Sequence, residues 1–319
     1  MDKPANAEGG PDTPEYKDLS LPELFEMFPD EQTAMEWFER NIWPDGRMCP
    51  RCGYRYTCVS RHSTMPYYCS ECDKRFSVKI GTVMEHSRIS YRNWAIATYL
   101  HATRPKGISS VQLGRDLKIS QSSAWFLLHR LREGWRTLAG PDLMAGPVEV
   151  DEVYLGGREK NKHADKKGKR KKTAVVGIKD RETGTIRAVP VPETTAARLL
   201  EFIEANAEPD SKKFTDENRA YNGLKNHHTV NHGDGEYVRG EVHINGMESF
   251  WALVRRGYNG TFHHIEPKHL HRYINEFAGR LSDKAASAVE RMGNIVRNLV
   301  GKRLTYRQLV ASRALCGAS

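Results

Sequence analysis

Two closely spaced cysteine pairs constrain this chain more than any other feature of its sequence. Cys49 and Cys52 lie in a CPRC motif, Cys69 and Cys72 lie in a CSEC motif, and sixteen residues separate the two pairs. Two Cys-x2-Cys knuckles at this separation allow four thiolates to close tetrahedrally on one zinc ion. We therefore predict a zinc ribbon over residues 46–80, whose small core would depend on the metal for much of its folding energy.

Composition favours an intracellular protein with several small domains. The chain has 319 residues, of which 39% are hydrophobic, so it can build real cores. We find no apolar run of about 18 residues, and residues 1–20 lack the apolar region of a secretory signal. We expect residues 1–20 to be disordered and the protein to have no membrane partner. Cys58 and Cys316 have no partner at ligand spacing, and we interpret them as free thiols.

Most of the net positive charge lies in one segment. Residues 158–172 carry nine Lys or Arg and two acids, which gives +7 of the total net charge of +9. Such a run is either a solvated loop or a phosphate-binding arm, and it can be both. We predict DNA backbone contacts from its last four residues, Lys169, Arg170, Lys171 and Lys172.

Helical patterns flank the predicted ribbon. Residues 21–45 form two short amphipathic segments, the second capped by Asp30, which we expect to pack against the ribbon. Residues 88–138 predict three helices, of which the first runs from about Tyr91 to Thr103. The second is capped by Ser109 or Ser110 and runs to Leu117, and the third begins near Gln121 and continues past Arg132.

The spacing of the three helices is typical of a helix-turn-helix. Ser122 and Ser123 lie at the start of the third helix, where base edges or phosphates would be met. Arg75 belongs to a set of basic and aromatic residues interleaved through the ribbon, a composition that suits DNA contact. Ribbons that serve only as structural or protein-interaction modules are also common, and so are three-helix units that do not bind DNA.

The segment 146–282 predicts an α/β layer with a mixed sheet. Three strand patterns follow one another, and further strands then alternate with helices. This order is the RNase H-like arrangement. The predicted fold class is therefore multidomain α+β: an N-terminal zinc ribbon, a helix-turn-helix, and an RNase H-like α/β catalytic domain. Residues 283–319 predict one or two basic C-terminal helices that could support oligomerisation.

Three acids of this segment are candidates for a shared metal site. Asp151 lies in the middle of the first strand, Asp216 ends a later strand, and Glu248 lies on a helix that begins near Asn245. By strand alternation, Glu152 points to the opposite face, and we interpret it as a surface or salt-bridged side chain. Converging carboxylates repel one another unless cations neutralise them, and hard oxygen ligands favour Mg²⁺ or Mn²⁺ over zinc.

The predicted helix after Asn245 carries two further candidates. Phe250, Trp251 and Val254 form a core-facing stripe, while Arg255 lies seven residues after Glu248 on the same side and can approach a phosphate. Arg256, next to it, is a further DNA-binding candidate. A pair of cations at such a site would support in-line phosphoryl transfer on a phosphodiester.

These motifs together resemble a known family. The segments VDEVYLGG, FTDENRAY, HINGMESFW and GTFHHIEPKHLHRYINEFAGR follow a four-cysteine ribbon and a helix-turn-helix. In this order they are similar to the DDE transposases of bacterial insertion sequences, in particular the ISXO-like group with an N-terminal zinc ribbon. The resemblance covers roughly residues 28–280.

The resemblance implies a Mg²⁺-dependent enzyme that cuts the ends of its element and joins the 3′-hydroxyls to target DNA. It implies Asp151 and Asp216 as metal-binding aspartates. Members of the group use Asn or Glu at the third position, so Asn245 and Glu248 are both candidates; we favour Glu248 because a carboxylate binds a hard cation better than an amide. Asn245 would then contact the substrate or support the ligands.

The resemblance also implies partners and a location. The partners would be terminal inverted repeats, target DNA and a second copy for end synapsis, in the cytoplasm and nucleoid of a bacterium. Two other classes stay open: a domesticated, non-catalytic DNA-binding regulator, and an RNase H-like nuclease without strand transfer. His263, His264, His269 and His271 fit no common zinc spacing, and we expect them to contact phosphate or to pack. His243 could line the acidic site.

Overall fold

Helices and short strands fill most of the chain. The computed structural model describes residues 19–135, 142–156, 172–229, 243–283, 285 and 287–311. The helices are α1 Leu21–Met27, α2 Glu31–Ile42, α3 Tyr91–Thr103, α4 Ser110–Asp116, α5 Gln121–Arg132, α6 Ala196–Glu204, α7 Asn245–Gly257, α8 Pro267–Ser282, α9 Ala288–Arg297 and α10 Tyr306–Val310. The strands are β1 Cys58–Val59, β2 Tyr67–Cys69, β3 Lys74–Phe76, β4 Val148–Leu155, β5 Thr173–Asp180, β6 Ile186–Val191, β7 Lys213–Thr215 and β8 His227–Thr229.

Side-chain caps define where the N-terminal helices begin. Asp30 accepts a hydrogen bond from the backbone N–H of Thr33 at 2.8 Å, so the predicted cap of α2 is confirmed. Ser90, Ser109 and Ser120 cap α3, α4 and α5 in the same way. Helices α3, α4 and α5 therefore lie where the sequence predicts three helices, although α5 ends at Arg132 and a 3₁₀ turn follows.

The N-terminal elements share one hydrophobic core. Strands β1, β2 and β3 form an antiparallel sheet, and buried residues of that ribbon, such as Phe76, join Trp37 of α2 and Trp94 of α3. Helix α9 also belongs to this core through Met292 and Ile295. The apolar face of α9 therefore packs inside the same chain, and the role of the C-terminal helices in oligomerisation stays a prediction.

The second region is a mixed five-stranded sheet, as the sequence predicts. Its strand order is β6-β5-β4-β7-β8. Strands β4, β5 and β6 pair antiparallel, whereas β7 is parallel to β4 and β8 is parallel to β7. Strand β4 therefore lies at the centre of the sheet, between a meander on one side and two parallel strands on the other.

Helices cover both faces of this sheet. Alternate residues of β4 point to opposite faces. Val153 and Leu155 pack with α7 and α8, whereas Val148 and Val150 pack with α6. Residues 149 and 151 therefore face the side of the sheet that carries α7. Among the described residues, we find no helix with the length and apolar character that a membrane span requires.

Candidate active site and zinc centre

The four paired cysteines meet at one point of the ribbon. Their sulfur atoms all lie within 4.8 Å of one another. The Sγ atoms of Cys49 and Cys72 are 3.7 Å apart, and those of Cys52 and Cys69 are 3.6 Å apart. Tetrahedral zinc with bonds of about 2.3 Å requires sulfur separations of about 3.8 Å. The geometry therefore fits a structural zinc ion.

The first knuckle also favours a thiolate. Burial by itself would raise the pKa of Cys49, but hydrogen bonds from the backbone N–H groups of Arg51 and Cys52 lower it to about 7. A thiolate is the form that binds zinc. Cys58 has no partner at ligand spacing in the sequence, and it is exposed on β1. Cys316 lies outside the described residues.

Two of the three candidate acids are brought together by neighbouring parallel strands. The pairing of β4 with β7 aligns Val148 with Lys213 and Glu149 with Phe214. Continuing this register by two residues places Asp216 beside Asp151. A backbone hydrogen bond of 3.1 Å, from the N–H of Asn218 to Oδ1 of Asp216, fixes the turn that follows β7.

A missing side chain lets the helix that carries Glu248 approach the sheet. Gly177 of β5 lies opposite Asp151 of β4. A methyl group at Gly177 would lie 2.5 Å from Cε of Met247 and 2.8 Å from Cζ2 of Trp251. Because only glycine leaves this space, α7 can pack closely on the strand beside Asp151.

The first turn of α7 is anchored by an acid that the sequence analysis missed. Glu149 is only 2% exposed, and its Oε2 accepts a hydrogen bond of 2.9 Å from the backbone N–H of Met247. Its Oε1 pairs with Nε of Arg181 at 2.9 Å and lies 3.4 Å from Nδ1 of His243. Glu149 thus joins β4 to the helix residue that precedes Glu248. The signal was an acid at an inward-facing strand position, two residues before Asp151.

The three candidate acids share one electrostatic environment. Burial raises the pKa of Asp151 to about 7, and the negative charges of Asp216, Glu152 and Glu248 add to this effect. Asp151 and Asp216 are half-buried, whereas Glu248 and Asn245 are exposed on the first turn of α7. The structure therefore brings Asp151, Asp216 and Glu248 together and places Asn245 at the start of the same helix.

The carboxylates do not form one tight cluster. Across the described ranges, the four cysteines are the only group of three or more His, Cys, Asp or Glu residues whose ligand atoms lie within 4.8 Å of one another. At least one separation within the acidic trio therefore exceeds that distance.

Glu152 lies on the opposite face of β4, as predicted, and hydrogen bonds hold it there. Its Oε2 accepts from the hydroxyl of Tyr221 at 2.5 Å, and its Oε1 accepts from Nδ2 of Asn218 at 2.6 Å. Asn218 therefore links Glu152 to the turn that contains Asp216. Neither Tyr221 nor Asn218 could be identified from local sequence, because both contacts join distant parts of the chain.

The predicted DNA-binding residues occupy several surfaces. Arg255 and Arg256 are exposed in the last turn of α7, and Arg75 is exposed on β3. Ser122 is exposed and Ser123 is half-buried in the first turn of α5, and both hydroxyls lie within hydrogen-bond distance of Ser120 Oγ. Lys172 is exposed next to β5, whereas Lys169, Arg170 and Lys171 lie outside the described residues.

The four clustered histidines separate into two types. His269 is buried and packs against Trp125 and His129, with ring centroids 5.4 and 4.8 Å apart. His263 and His264 are exposed after α7, and His271 is exposed on α8. His243 contacts Glu149, at the start of α7, and its carbonyl oxygen accepts a hydrogen bond from Arg181.

Comparison with known proteins gives matches to two domain families. Residues 143–281 match the ISXO2-like transposase domain, and residues 29–75 match the transposase zinc-ribbon domain. The chain is 31% identical over 252 residues to an uncharacterized protein in transposable element ISH50 of Halobacterium salinarum, covering 72% of this chain and 83% of that protein. It is 29% identical over 119 residues to an uncharacterized transposase-like protein of Haemophilus influenzae, covering 36% of this chain and 93% of that protein.

The residue ranges of the two domain matches contain the two sites described above. The transposase match contains the strand and helix that carry Asp151 and Glu248. The zinc-ribbon match contains all four clustered cysteines. A mixed sheet that carries the candidate acids thus follows a four-cysteine ribbon in one chain. From this combination and the similarity to the ISH50 protein, the chain belongs to the ISXO2-like transposases of insertion sequences, with their zinc ribbon.

Proposed function

We propose that the protein binds the terminal inverted repeats of an insertion sequence, cleaves the DNA ends and transfers their 3′-hydroxyls to target DNA. The observation that carries this proposal is that Asp216 and Glu248 lie close enough to Asp151, on the central strand of the mixed sheet, to interact with it electrostatically. The strand order, a three-stranded antiparallel meander extended by two parallel strands, supports an RNase H-like catalytic domain.

Asp151, Asp216 and Glu248 would hold Mg²⁺ or Mn²⁺. Hard carboxylate oxygens suit these ions. Burial is the main cause of the raised pKa of Asp151, and the neighbouring negative charges that add to it would be neutralised by a bound cation. A pair of such cations would activate the attacking oxygen and stabilise the leaving oxygen of a phosphodiester. Glu149 would keep the first turn of α7, and with it Glu248, at a fixed place beside the sheet.

Several exposed side chains would position the DNA. Arg255 and Arg256 lie in the last turn of the helix that carries Glu248 and would contact phosphates on that side of the acids. Helices α4 and α5 would act as a helix-turn-helix, with Ser122 and Ser123 meeting DNA at the start of α5. Arg75 of the ribbon and the basic run that ends at Lys172 would add backbone contacts. End synapsis would require at least two copies of the chain.

Cleavage of the element's own ends tests this proposal. Labelled duplexes carrying the flanking repeats are incubated with the protein and Mg²⁺ or Mn²⁺, and 3′-end cleavage and strand transfer are resolved on a gel. Asp151→Asn and Asp216→Asn should abolish both reactions without weakening DNA binding. If Glu248→Gln also abolishes them and Asn245→Ala does not, Glu248 is the third ligand.

Two other results would replace the proposal. Tight binding of the ends without cleavage under either metal would indicate a DNA-binding regulator. Metal-dependent cleavage without any joined product would indicate a nuclease that does not transfer strands.

A further inference from the structure

A cleft separates the three-helix region from the segment that follows α7. Residues 261–264 form one wall, and residues of α4 and α5 form the other, around a volume of about 530 Å³. A π-helical turn, Tyr258–Phe262, continues α7 directly into this wall. The cleft is therefore a second site, connected to Glu248 by one continuous helical segment.

The lining of this cleft is rich in nitrogen donors and includes two arginines. Arg115, Arg132, His263 and His264 line it, and no Asp or Glu is among its described lining residues. Ser109, Ser110, Gln112, Gln121 and Thr261 supply further polar groups. Gln121 lies in the first turn of the twelve-residue helix α5, whose N-terminal end carries partial positive charge. The chemistry of the lining suits an anion.

Arg132 is a buried residue of the cleft lining whose guanidinium makes fewer hydrogen bonds than it can donate. It is 1% exposed, and its Nε donates to Oε2 of Glu276 at 2.7 Å. Among the residues that the structure describes, neither Nη1 nor Nη2 has a hydrogen-bond partner, although the guanidinium lies 3.8 Å from the ring centroid of Tyr273. Buried polar groups are normally hydrogen-bonded, so the two free amino groups require an explanation.

The charges around Arg132 do not balance. Glu276 also accepts a hydrogen bond of 2.6 Å from Nη2 of Arg280, so two guanidinium groups share one carboxylate. The nearby His101 does not add a charge, because burial lowers its pKa to about 3. This buried group therefore carries a net charge of +1, and an unpaired buried charge is costly. An anion in the adjoining cleft would lower that cost.

The rim of the cleft also has a strained backbone. His263 has φ of +58°, in the left-handed region that few residues other than glycine adopt. Strain of this kind persists where the surrounding structure enforces it, often at binding sites. Here it allows the chain to turn after Phe262 and leaves both His263 and His264 exposed on one wall.

We propose that this cleft binds a phosphodiester group of the DNA backbone. The inference rests on the proposed function, which makes DNA the substrate. Arginine is suited to phosphate because its planar guanidinium can donate two parallel hydrogen bonds. Glu248 and Phe262 are fourteen residues apart along a continuous helix, or about 21 Å at 1.5 Å per residue. The bound phosphate would therefore lie within about one DNA turn of the cleaved bond.

Two rim variants test the cleft without disturbing the buried ion pairs. Arg115→Gln and His264→Gln each remove one lining group, and Arg198→Gln is the matched control because Arg198 is exposed on α6, across the sheet. Binding to an element-end duplex is measured by fluorescence anisotropy over a range of salt concentrations. Arg115→Gln should weaken binding about tenfold and reduce the salt slope by about 0.9, as expected for one lost phosphate contact.

Ethylation interference locates the contact. In the natural chain, ethylation of one phosphate near the cleavage point should block binding, and this block should disappear in Arg115→Gln. Inorganic phosphate serves as a competitor: competition that is equal for the natural chain and Arg115→Gln argues against the cleft. The cleft proposal is overturned if both rim variants match Arg198→Gln in affinity, salt slope and interference pattern.

The metal-dependent cleavage assay separates the two proposals. If the natural chain cuts the ends while the rim variants behave like the control in binding, only the cleft proposal fails. If the natural chain neither binds nor cuts the ends, the proposed function fails and the cleft proposal fails with it.

Discussion

Asp151 is the residue whose charge links the fold to the proposed chemistry. It lies on the central strand, faces α7 and has Asp216 and Glu248 within electrostatic range. The sequence was sufficient to select these three acids, because each lies at a distinctive point of a strand or helix pattern. It could not show Glu149, Asn218 or Tyr221, whose contacts depend on residues far away in the chain.

In metal-free buffer, Asp151→Asn should stabilise the protein at alkaline pH. Burial raises the pKa of Asp151 from 3.8 to about 7. The folded chain therefore holds this proton more tightly than the unfolded chain, and stability falls as the pH rises from about 4 to about 7. The full difference corresponds to about 4 kcal/mol at most. Thermal melting at pH 5 and pH 8 should show a gain for the variant that is larger at pH 8.

Glu193→Gln is the control for this measurement, because Glu193 is exposed. Mg²⁺ should raise the melting temperature of the natural chain at pH 8 and leave Asp151→Asn unchanged. An equal gain for Asp151→Asn at both pH values would contradict the assigned origin of the pKa.

Glu149→Ala should destabilise the fold by about 3 kcal/mol, since it leaves the guanidinium of Arg181 and the N–H of Met247 without their buried partner. Urea unfolding measures this loss. Glu149→Gln keeps an acceptor oxygen for Met247 and should lose less. Equal losses in the two variants would mean that the hydrogen bond to α7 contributes little.

Helix α7 packs closely beside Asp151 only because β5 has a glycine at its point of contact. The sequence predicts the helix and its buried stripe, and Phe250, Trp251 and Val254 are indeed buried. It does not predict which strand residue lies below them. That pairing depends on the register of β4 with β5, which places Gly177 opposite Asp151.

Gly177→Val should push α7 away from the sheet, because even a methyl group there would lie 2.8 Å from the ring of Trp251. Overpacking of this kind costs about 1–3 kcal/mol. Cleavage of the element ends should fall more than tenfold, while binding of the same duplex changes little. Gly223→Val serves as the control, since Gly223 lies away from α7 beside Leu200 of α6; an equal loss of cleavage there would contradict the prediction.

The ribbon shows how far sequence reasoning extends for a metal site. Four cysteines at fixed spacing predict both the ligand set and its geometry, because the metal itself specifies the distances. The acidic site is different. Its candidate acids lie on a strand, directly after a second strand and on a helix, which only the complete fold brings together. The sequence therefore predicts the candidates but not the distances between them.

Contacts between elements far apart in the sequence join the two regions of the molecule. Helix α9 follows the second region in sequence but packs into the core of the first, alongside α2 and α3. Arg132 of α5 and Glu276 of α8 form a buried ion pair between the same two regions. Neither contact could be predicted from the amino-acid sequence, because the apolar face of α9 does not identify its partner.

Zinc removal should therefore affect more than the ribbon. Cys69 and Phe76 of the ribbon belong to the same hydrophobic core as Trp94 of α3 and Ile295 of α9. A chelator, or Cys69→Ser, should lower the melting temperature of the whole N-terminal core and release one zinc ion per chain. Cys58→Ser is the matched control, because Cys58 is exposed and outside the cluster. Full zinc content in Cys69→Ser would contradict the assigned ligand set.

Direct binding of Mn²⁺ to the zinc-loaded chain is the measurement that tests the acidic site most directly. Electron paramagnetic resonance reports free Mn²⁺ and needs neither DNA nor catalysis. We predict saturable binding by the natural chain, at least about tenfold weaker in Asp151→Asn, Asp216→Asn and Glu248→Gln, and unchanged in Glu193→Gln. Undiminished Mn²⁺ binding in both aspartate variants would contradict the claim that these acids form the divalent cation site of the transposase.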